Sequence, residues 1–396
     1  MQITEANELR LAVITNEFPT ERQPDEGYVF FDLIRELQKH CSVKAFCLLP
    51  SYPRHRFLRP RTFKPGTFGR PLAGVDAEIV DFPSLPVVTR PFNALIAGRN
   101  AHPQIARWRP DVLLAYFLYP QGCAAISIGA RLNIPVILGA RGSDLLRIPD
   151  PLTKWQVSKA LRSAAAVLGV SRQLVERAID LGANPERAAC IPNGCHNSIF
   201  HPRDKRASRR CLGLDEDRQH ILFVGRLVHL KGVQDLIEAL SRLKKRTRPV
   251  RLVCIGQGPM ENDLRELAAR LGVTNDVLFA GPKPNPELGE WLGAADLLCL
   301  PSYSEGSPSV ILEALSSGRP AVASAVGGIP DLIDHRCGIL VPTRSPVQLA
   351  RALDQALESS WDAKEISLRF GRTWPDVARE TLDLCSRFVP SLMTRT

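Results

Sequence analysis

The sequence predicts an α/β protein of two doubly wound, Rossmann-like domains facing across a cleft, and three observations predict it. Apolar runs of strand length alternate with amphipathic stretches of helix length along almost the whole chain, the pattern of parallel sheets covered by helices on both faces. The pattern restarts after residue 210, so each half carries its own set of strands. At 396 residues the chain also exceeds the size at which one hydrophobic core keeps growing.

In the first half the expected strands are 9–15, 43–47, 77–81, 112–115, 136–138, 166–170 and 189–191, short apolar runs bounded by polar or turn residues. Helices are expected at 29–40, 93–107, 121–132, 154–163 and 173–181, where apolar residues recur every three or four positions. Between the halves, residues 201–210 (HPRDKRASRR) are polar and without an apolar period, which reads as an interdomain linker. The second half places strands at 221–224, 251–255, 277–280, 296–300, 321–323 and 338–341, and helices at 233–245, 261–271, 287–292, 309–317 and 346–358. The expected domains are therefore 1–200 and 201–373. In open sheets of this kind, ligands bind beyond the carboxyl ends of the strands.

Hydrophobic residues make up 44% and charged residues 23%, a composition that supports packed cores and argues against disorder. No run approaches the ~18 apolar residues of a bilayer span, and residues 1–10 are polar rather than an export signal, so a cytoplasmic location is expected. The ten cysteines are scattered, without a C-x-x-C pair, and most fall in apolar runs where a thiol acts as a small hydrophobe.

The net charge of +10 is unevenly placed: residues 1–200 hold 24 Lys/Arg against 17 Asp/Glu, and residues 201–396 hold 27 against 24. Within the first half, residues 52–71 contain Arg54, Arg56, Arg59, Arg61, Lys64 and Arg70 with no acid, interleaved with Phe57, Phe63 and Phe68. This stretch suits an anionic partner, either membrane headgroups at the inner face of the cell membrane or a lipid diphosphate, and equally a solvated loop. No nucleic-acid partner is expected.

The strongest chemical signal is Pro301-Ser-Tyr-Ser-Glu-Gly-Ser-Pro-Ser-Val-Ile-Leu-Glu313. It leaves a strand and opens a helix through Gly306, Ser307, Pro308, Ser309 and Val310, so free backbone N–H groups and the positive helix end offer an anion site. Glu305 is placed in the loop and Glu313 within the helix, both suited to hydroxyl groups. In Phe223-Val-Gly-Arg-Leu-Val-His-Leu-Lys-Gly232 a strand runs into the Gly225 turn and releases Arg226 and Lys231, two cations able to neutralise a departing diphosphate without a metal.

Ile255-Gly-Gln-Gly-Pro259 follows another strand; Gly256 and Gly258 allow close backbone approach to a nucleotide, and Gly281 ends the next strand where main-chain groups meet a base edge. In the first domain, Gly139-Ala-Arg-Gly-Ser-Asp144 brings Arg141 and Asp144 towards the cleft, where they would meet the transferred sugar or its phosphate. Gly27, ahead of a helix, lets the backbone approach phosphates. Pro192-Asn-Gly-Cys195 lines the same cleft or is a simple tight turn.

Arg226 with Lys231, the Gly256/Gly258 turn, Glu305 and Glu313, Pro192-Asn-Gly194 and the helix begun by Trp374 occur in the order that resembles glycosyltransferase family 4 over nearly the whole chain. The resemblance extends to bacterial cell-surface polysaccharide transferases of the teichuronic acid type. It implies the GT-B fold and a retaining transfer from a nucleotide-sugar donor to a saccharide or lipid-linked acceptor, with no cofactor and no metal. It further implies that Glu305 faces the sugar, Glu313 binds the ribose, and Arg226 and Lys231 hold the diphosphate. It also implies that the last helix, 374–389, returns to the first domain. Where many members carry His-Gly, this chain has Arg141-Gly142, a cation that would balance an acidic sugar or the phosphate.

Other chemistries are less well supported. Asp215-Glu-Asp217 matches the D-x-D of metal-dependent transferases but sits in a charged turn ahead of a strand. His196 and His201 lack converging ligands for zinc. A dehydrogenase would require a complete G-x-G-x-x-G after the first strand, which Thr15-Asn-Glu-Phe-Pro19 does not supply. A nucleotide-sugar epimerase of the same fold, or a non-catalytic nucleotide-sugar-binding protein, are the remaining alternatives.

Overall fold

The apolar runs of the first half become seven parallel strands in the computed structural model, which describes residues 9–21, 27–53, 70–85, 89–244 and 246–389. They are β1 (Arg10–Thr15), β2 (Ser42–Ser51), β3 (Ala77–Pro83), β4 (Val112–Tyr116), β5 (Val136–Ala140), β6 (Ala166–Gly169) and β7 (Ala188–Cys190). Their order is β3-β2-β1-β4-β5-β6-β7, so β1 pairs with β2 on one side (Val13 opposite Ala45) and with β4 on the other (Val13 opposite Leu114). Strand order reverses at β1/β4.

Both faces of this sheet are covered, which is why β1 is apolar at successive rather than alternate positions. Ala12 and Ile14 face helices Asn93–Trp108, Cys123–Leu132 and Pro151–Ser163, whereas Leu11 and Val13 join the core around helix Tyr28–Leu37. That second core also takes Trp374, Val377, Leu384 and Val389 from helix Trp374–Ser386 and the residues after it. The unit so formed comprises Met1–Asn193 with Trp374–Thr396.

The other unit is the continuous segment Gly194–Thr373. Its strands are β8 (Gln219–Val224), β9 (Val250–Ile255), β10 (Val277–Gly281), β11 (Leu297–Leu300), β12 (Ala321–Ser324) and β13 (Gly338–Val341), all parallel in the order β10-β9-β8-β11-β12-β13. Here the reversal falls at β8/β11. One core runs through both layers of helices, from Phe223 and Leu236 to Leu315 and Leu353.

The polar segment 201–210, expected as an irregular linker, holds most of the helix Lys205–Cys211. Its anchor is charge rather than an apolar stripe: Arg209 is buried with Nη2 2.6 Å from Asp296 Oδ2, and Lys205 Nζ reaches Oδ1 at 2.8 Å. Asp204 caps it by accepting from Ala207 N at 2.7 Å.

Seven of the ten cysteines are buried, and none of the ten is in a disulfide. Among the described residues no helix is long and apolar enough to cross a membrane. Residues 54–69 of the basic-aromatic stretch lie outside the described residues, so that expectation has no structural counterpart here.

Candidate functional site

In the second unit the chemistry gathers where β8 and β11 end side by side. Beyond β8, Gly225 N donates to Ile255 O at 2.9 Å, and Leu227 N to Gln257 O at 3.0 Å, which ties the loop to the one after β9. Arg226 between them is exposed; its carbonyl accepts from Val228 N at 2.9 Å, and its side chain has no hydrogen bond or ion pair to any described residue. A single turn, His229–Lys231, then leads through Gly232 at φ 67° into helix Val233–Arg242.

Gly232 is glycine for two reasons. Its left-handed backbone suits glycine, and a side chain there would fall on the carbonyl of Pro301 in the loop after β11. The two loops are therefore in contact, with Tyr303 N donating to Leu230 O at 2.8 Å. As a result Lys231 Nζ lies 2.6 Å from Glu305 Oε1, with 10% of the Glu305 side chain exposed.

Tyr303 braces the same junction. Its hydroxyl donates to Asp235 Oδ2 at 3.0 Å and accepts from Gln234 Nε2 at 2.7 Å, while Arg344 stacks over its ring at 4.6 Å. Burial holds the Asp235 carboxyl above the usual range, and the Tyr303 hydrogen bond opposes that rise.

Glu305 is held from below as well. At Gly327, φ 61°, a side chain would collide with the Glu305 carbonyl, and Gly328 N donates to Gly306 O at 2.6 Å. Ser307 and Pro308 then lead to helix Ser309–Ser316, whose N-cap is Pro308 and carries no side-chain cap. Ser309 and Val310 open its first turn, and its N-terminal end follows Glu305 by four residues. Glu313, one turn in, is partly buried; burial pushes its carboxyl up to about 7, and nearby His196 pulls the other way.

The remaining glycines divide. At Gly256 a side chain would fall on Gly225 O and at Gly258 on Leu227 O, so each space is filled by the neighbouring loop. These two glycines bring the β8 and β9 loops together. Gly281, φ 71°, has open space where a side chain would be and accepts from Gly256 N at 2.9 Å.

Arg141, Asp144 and Gly27 lie in the first unit. Gly27, φ 73°, caps helix Tyr28–Leu37, and a side chain there would strike the Glu17–Phe18 peptide. With Glu17, Phe30, Phe117 and Arg141 it lines a cavity of about 330 Å³ at the ends of β1, β4 and β5. The Arg141 guanidinium sits 5.1 Å from the Phe30 ring centre, donates to Asn193 Oδ1 at 2.9 Å, and has its pKa lowered by burial.

Asp144 serves the backbone. Its Oδ1 accepts from Gly142 N at 2.8 Å and Arg141 N at 3.1 Å, and its Oδ2 from Leu118 N at 3.3 Å. Burial raises its pKa and these bonds oppose the rise. Asp144 thus fixes the loop that presents Arg141, by joining the ends of β4 and β5.

Asp235 and the Gly327-Gly328 pair have no site role in the sequence reading; Tyr303 enters it only as part of the 301–313 motif, Asn193 only within Pro192-Asn-Gly-Cys195, and His196 only as a zinc ligand that lacks partners. The glycine pair carries a signal of its own, since it comes four residues after the strand 321–323.

Residues 204–372 match the family described as "Glycosyl transferases group 1", and residues 27–194 match the "Glycosyl transferase 4-like domain". The chain is 35% identical to the D-inositol 3-phosphate glycosyltransferase of Frankia alni over 302 residues, which cover 69% of this chain and 73% of that one. It is 29% identical to the "Putative teichuronic acid biosynthesis glycosyltransferase TuaC" of Bacillus subtilis (strain 168), over 87% of this chain and 88% of the relative. Among solved structures it is similar to HepE of Anabaena in complex with UDP, at a TM-score of 0.67 and 18% identity, covering 97% of this chain and 96% of that one. A likeness at that identity is one of fold, and the fold is GT-B.

Proposed function

Because the chain belongs to the group 1 glycosyl transferases, we propose that it is a retaining, metal-independent enzyme of cell-surface polysaccharide synthesis with a saccharide or lipid-linked acceptor. Transfer of a sugar from a nucleotide-sugar donor comes with the family. The polysaccharide role is supported by the likeness to TuaC, and UDP-sugars are the first donors to try because HepE binds UDP.

The contact of Lys231 with Glu305 carries the assignment of the donor site to the second unit. It joins a cation from one loop to a carboxylate from the next at the strand-order reversal, where open α/β sheets bind ligands. In the proposed mechanism the donor diphosphate draws Lys231 from Glu305 and meets Arg226 and the N-terminal end of helix Ser309–Ser316. These three positive groups stabilise the charge that builds on the leaving phosphate. Glu305, freed from Lys231, accepts from hydroxyls of the sugar.

Glu313 holds the ribose. A carboxyl group with a pKa of about 7 is part protonated at neutral pH, so it both donates to and accepts from a hydroxyl pair. No carboxylate is assigned as covalent nucleophile; the sugar leaves as an oxocarbenium-like ion pair and is attacked on the same face, the leaving phosphate taking the acceptor proton. The first unit binds the acceptor, with Arg141 and Gly27 offering an anion-compatible cavity and Asp144 positioning that loop.

The test is nucleotide release from a panel of nucleotide sugars, with the anomeric configuration of the product read by NMR. Release that persists in chelator, with retained configuration, is expected. An inverted product overturns the front-face mechanism, and dependence on added manganese overturns the metal-free one.

A further inference from the structure

A second cavity in the first unit lies away from Gly27 and Arg141. It is a groove of about 1080 Å³ along helices Asn93–Trp108, Cys123–Leu132 and Pro151–Ser163, lined by Phe92, Leu95, Ile126, Leu152 and Trp155 among others. Four of the eight large apolar side chains exposed among the described residues fall here: Phe92 at 59%, Leu95 at 43%, Leu152 at 46% and Trp155 at 56%. Scattered exposure of single apolar groups needs no explanation, but clustering of half of them does.

They form one face. Gln156, next to Trp155, donates from Nε2 to the carbonyl of Pro91, next to Phe92, at 2.9 Å. That bond pins the start of one helix to the turn before another. Lys159 Nζ lies over the Trp155 ring at 5.5 Å, and Lys154, Lys159, Arg162 and Arg187 are exposed nearby.

Charge selects the occupant. The three helices contain Arg99, Arg107, Arg131, Lys154, Lys159 and Arg162 and no acid at all. The nearest carboxylate in sequence, Asp150, caps helix Pro151–Ser163 by accepting from Thr153 N at 2.8 Å. An acid-free helix layer with an exposed Trp, Phe and two Leu beside lysines has the composition of a surface that lies in the headgroup region of an anionic bilayer. No described helix can span a bilayer, so the contact is peripheral.

We propose that this face of the first unit docks on an anionic lipid bilayer, with Phe92, Leu95, Leu152 and Trp155 entering the headgroup boundary and Lys154, Lys159 and Arg162 meeting lipid phosphates. The site is separate from the stretch 52–71, and the inference does not depend on the sugar or acceptor of the reaction.

The experiment is co-sedimentation of the full chain with vesicles of phosphatidylcholine alone or mixed with phosphatidylglycerol, followed by hydrogen exchange on the bound protein. Binding to the mixed vesicles that weakens with salt is expected, with new protection at 89–95 and 151–163. Lys154→Gln and Lys159→Gln should each weaken partitioning about fivefold, and Phe92→Ser with Trp155→Ser about tenfold or more. All four positions are exposed, so thermal unfolding should be unchanged. Several outcomes overturn the proposal: no vesicle binding, equal binding to neutral vesicles, protection confined to 52–71 or elsewhere, or loss of self-association rather than lipid binding in the apolar variant.

Discussion

Lys231 Nζ and Glu305 Oε1 are 2.6 Å apart, so the two loops that leave β8 and β11 are joined by charge. In the proposed mechanism a donor diphosphate competes with Glu305 for that ammonium group. On that proposal the pair links binding to the release of a carboxylate.

Lys231→Ala should lower turnover by about 10²–10³, the usual loss when one stabilising group for developing charge is removed. It also leaves Glu305 partly buried without its cation, at a cost of about 1–3 kcal/mol. Adding Glu305→Gln should restore the stability and leave turnover low. Urea unfolding alongside steady-state kinetics separates the two effects; recovery of both would confine the pair to a structural role.

Glu313 makes stability depend on pH. Its folded pKa of about 7 lies above the ordinary 4.5, so the native state holds the proton more tightly than the unfolded chain does. Its contribution is destabilising, absent below about pH 4.5, growing through pH 4.5–7 and constant above. Glu313→Gln should stabilise the donor-free protein at pH 8 by about 1–3 kcal/mol, change little at pH 4, and weaken the thermal shift given by UDP. Equal stabilisation at both pH values would refute the assignment.

Gly327→Ala should cost more than Gly213→Ala, although both residues have positive φ, 61° and 65°. At Gly213 the added methyl meets nothing within 4 Å, and the expected loss is about 1 kcal/mol of backbone strain. At Gly327 it meets the Glu305 carbonyl, so the loop must move and turnover should fall about 10²-fold for a shift near 1 Å. Similar kinetics in the two variants would show that Gly327 does not position Glu305.

Asp144→Ala removes the acceptor shared by Leu118 N, Arg141 N and Gly142 N. Loss of about 2–4 kcal/mol is expected in urea unfolding, since several partly buried donors lose their partner. If Asp144 instead acts on substrate directly, stability would be kept while turnover collapses.

The sheets were legible because their evidence is local. Each strand is an apolar run, and the expected strands all appear, β2 continuing from 47 to Ser51. Helix Lys205–Cys211 was not, because its buried anchor is an arginine bound to Asp296, 87 residues away. The candidate site was legible as residues at the ends of neighbouring strands and illegible as contacts. Lys231 and Glu305 meet only because β8 pairs with β11, Ile221 opposite Leu297, and Gly327 reaches Glu305 only because β12 pairs with β11. The backbone duty of Asp144 was equally hidden, since Leu118 lies beyond a different strand.

Helix Trp374–Ser386 seals the core of the first unit although the entire second unit precedes it in the chain. During synthesis the apolar groove that receives Trp374, Val377 and Leu384 must therefore stand open until the ribosome has finished the second unit. Cys195 N donates to Arg372 O at 3.0 Å, so the nascent second unit can close its own base and mature first. A stop codon at 374 would leave that later half native and the earlier half prone to aggregate.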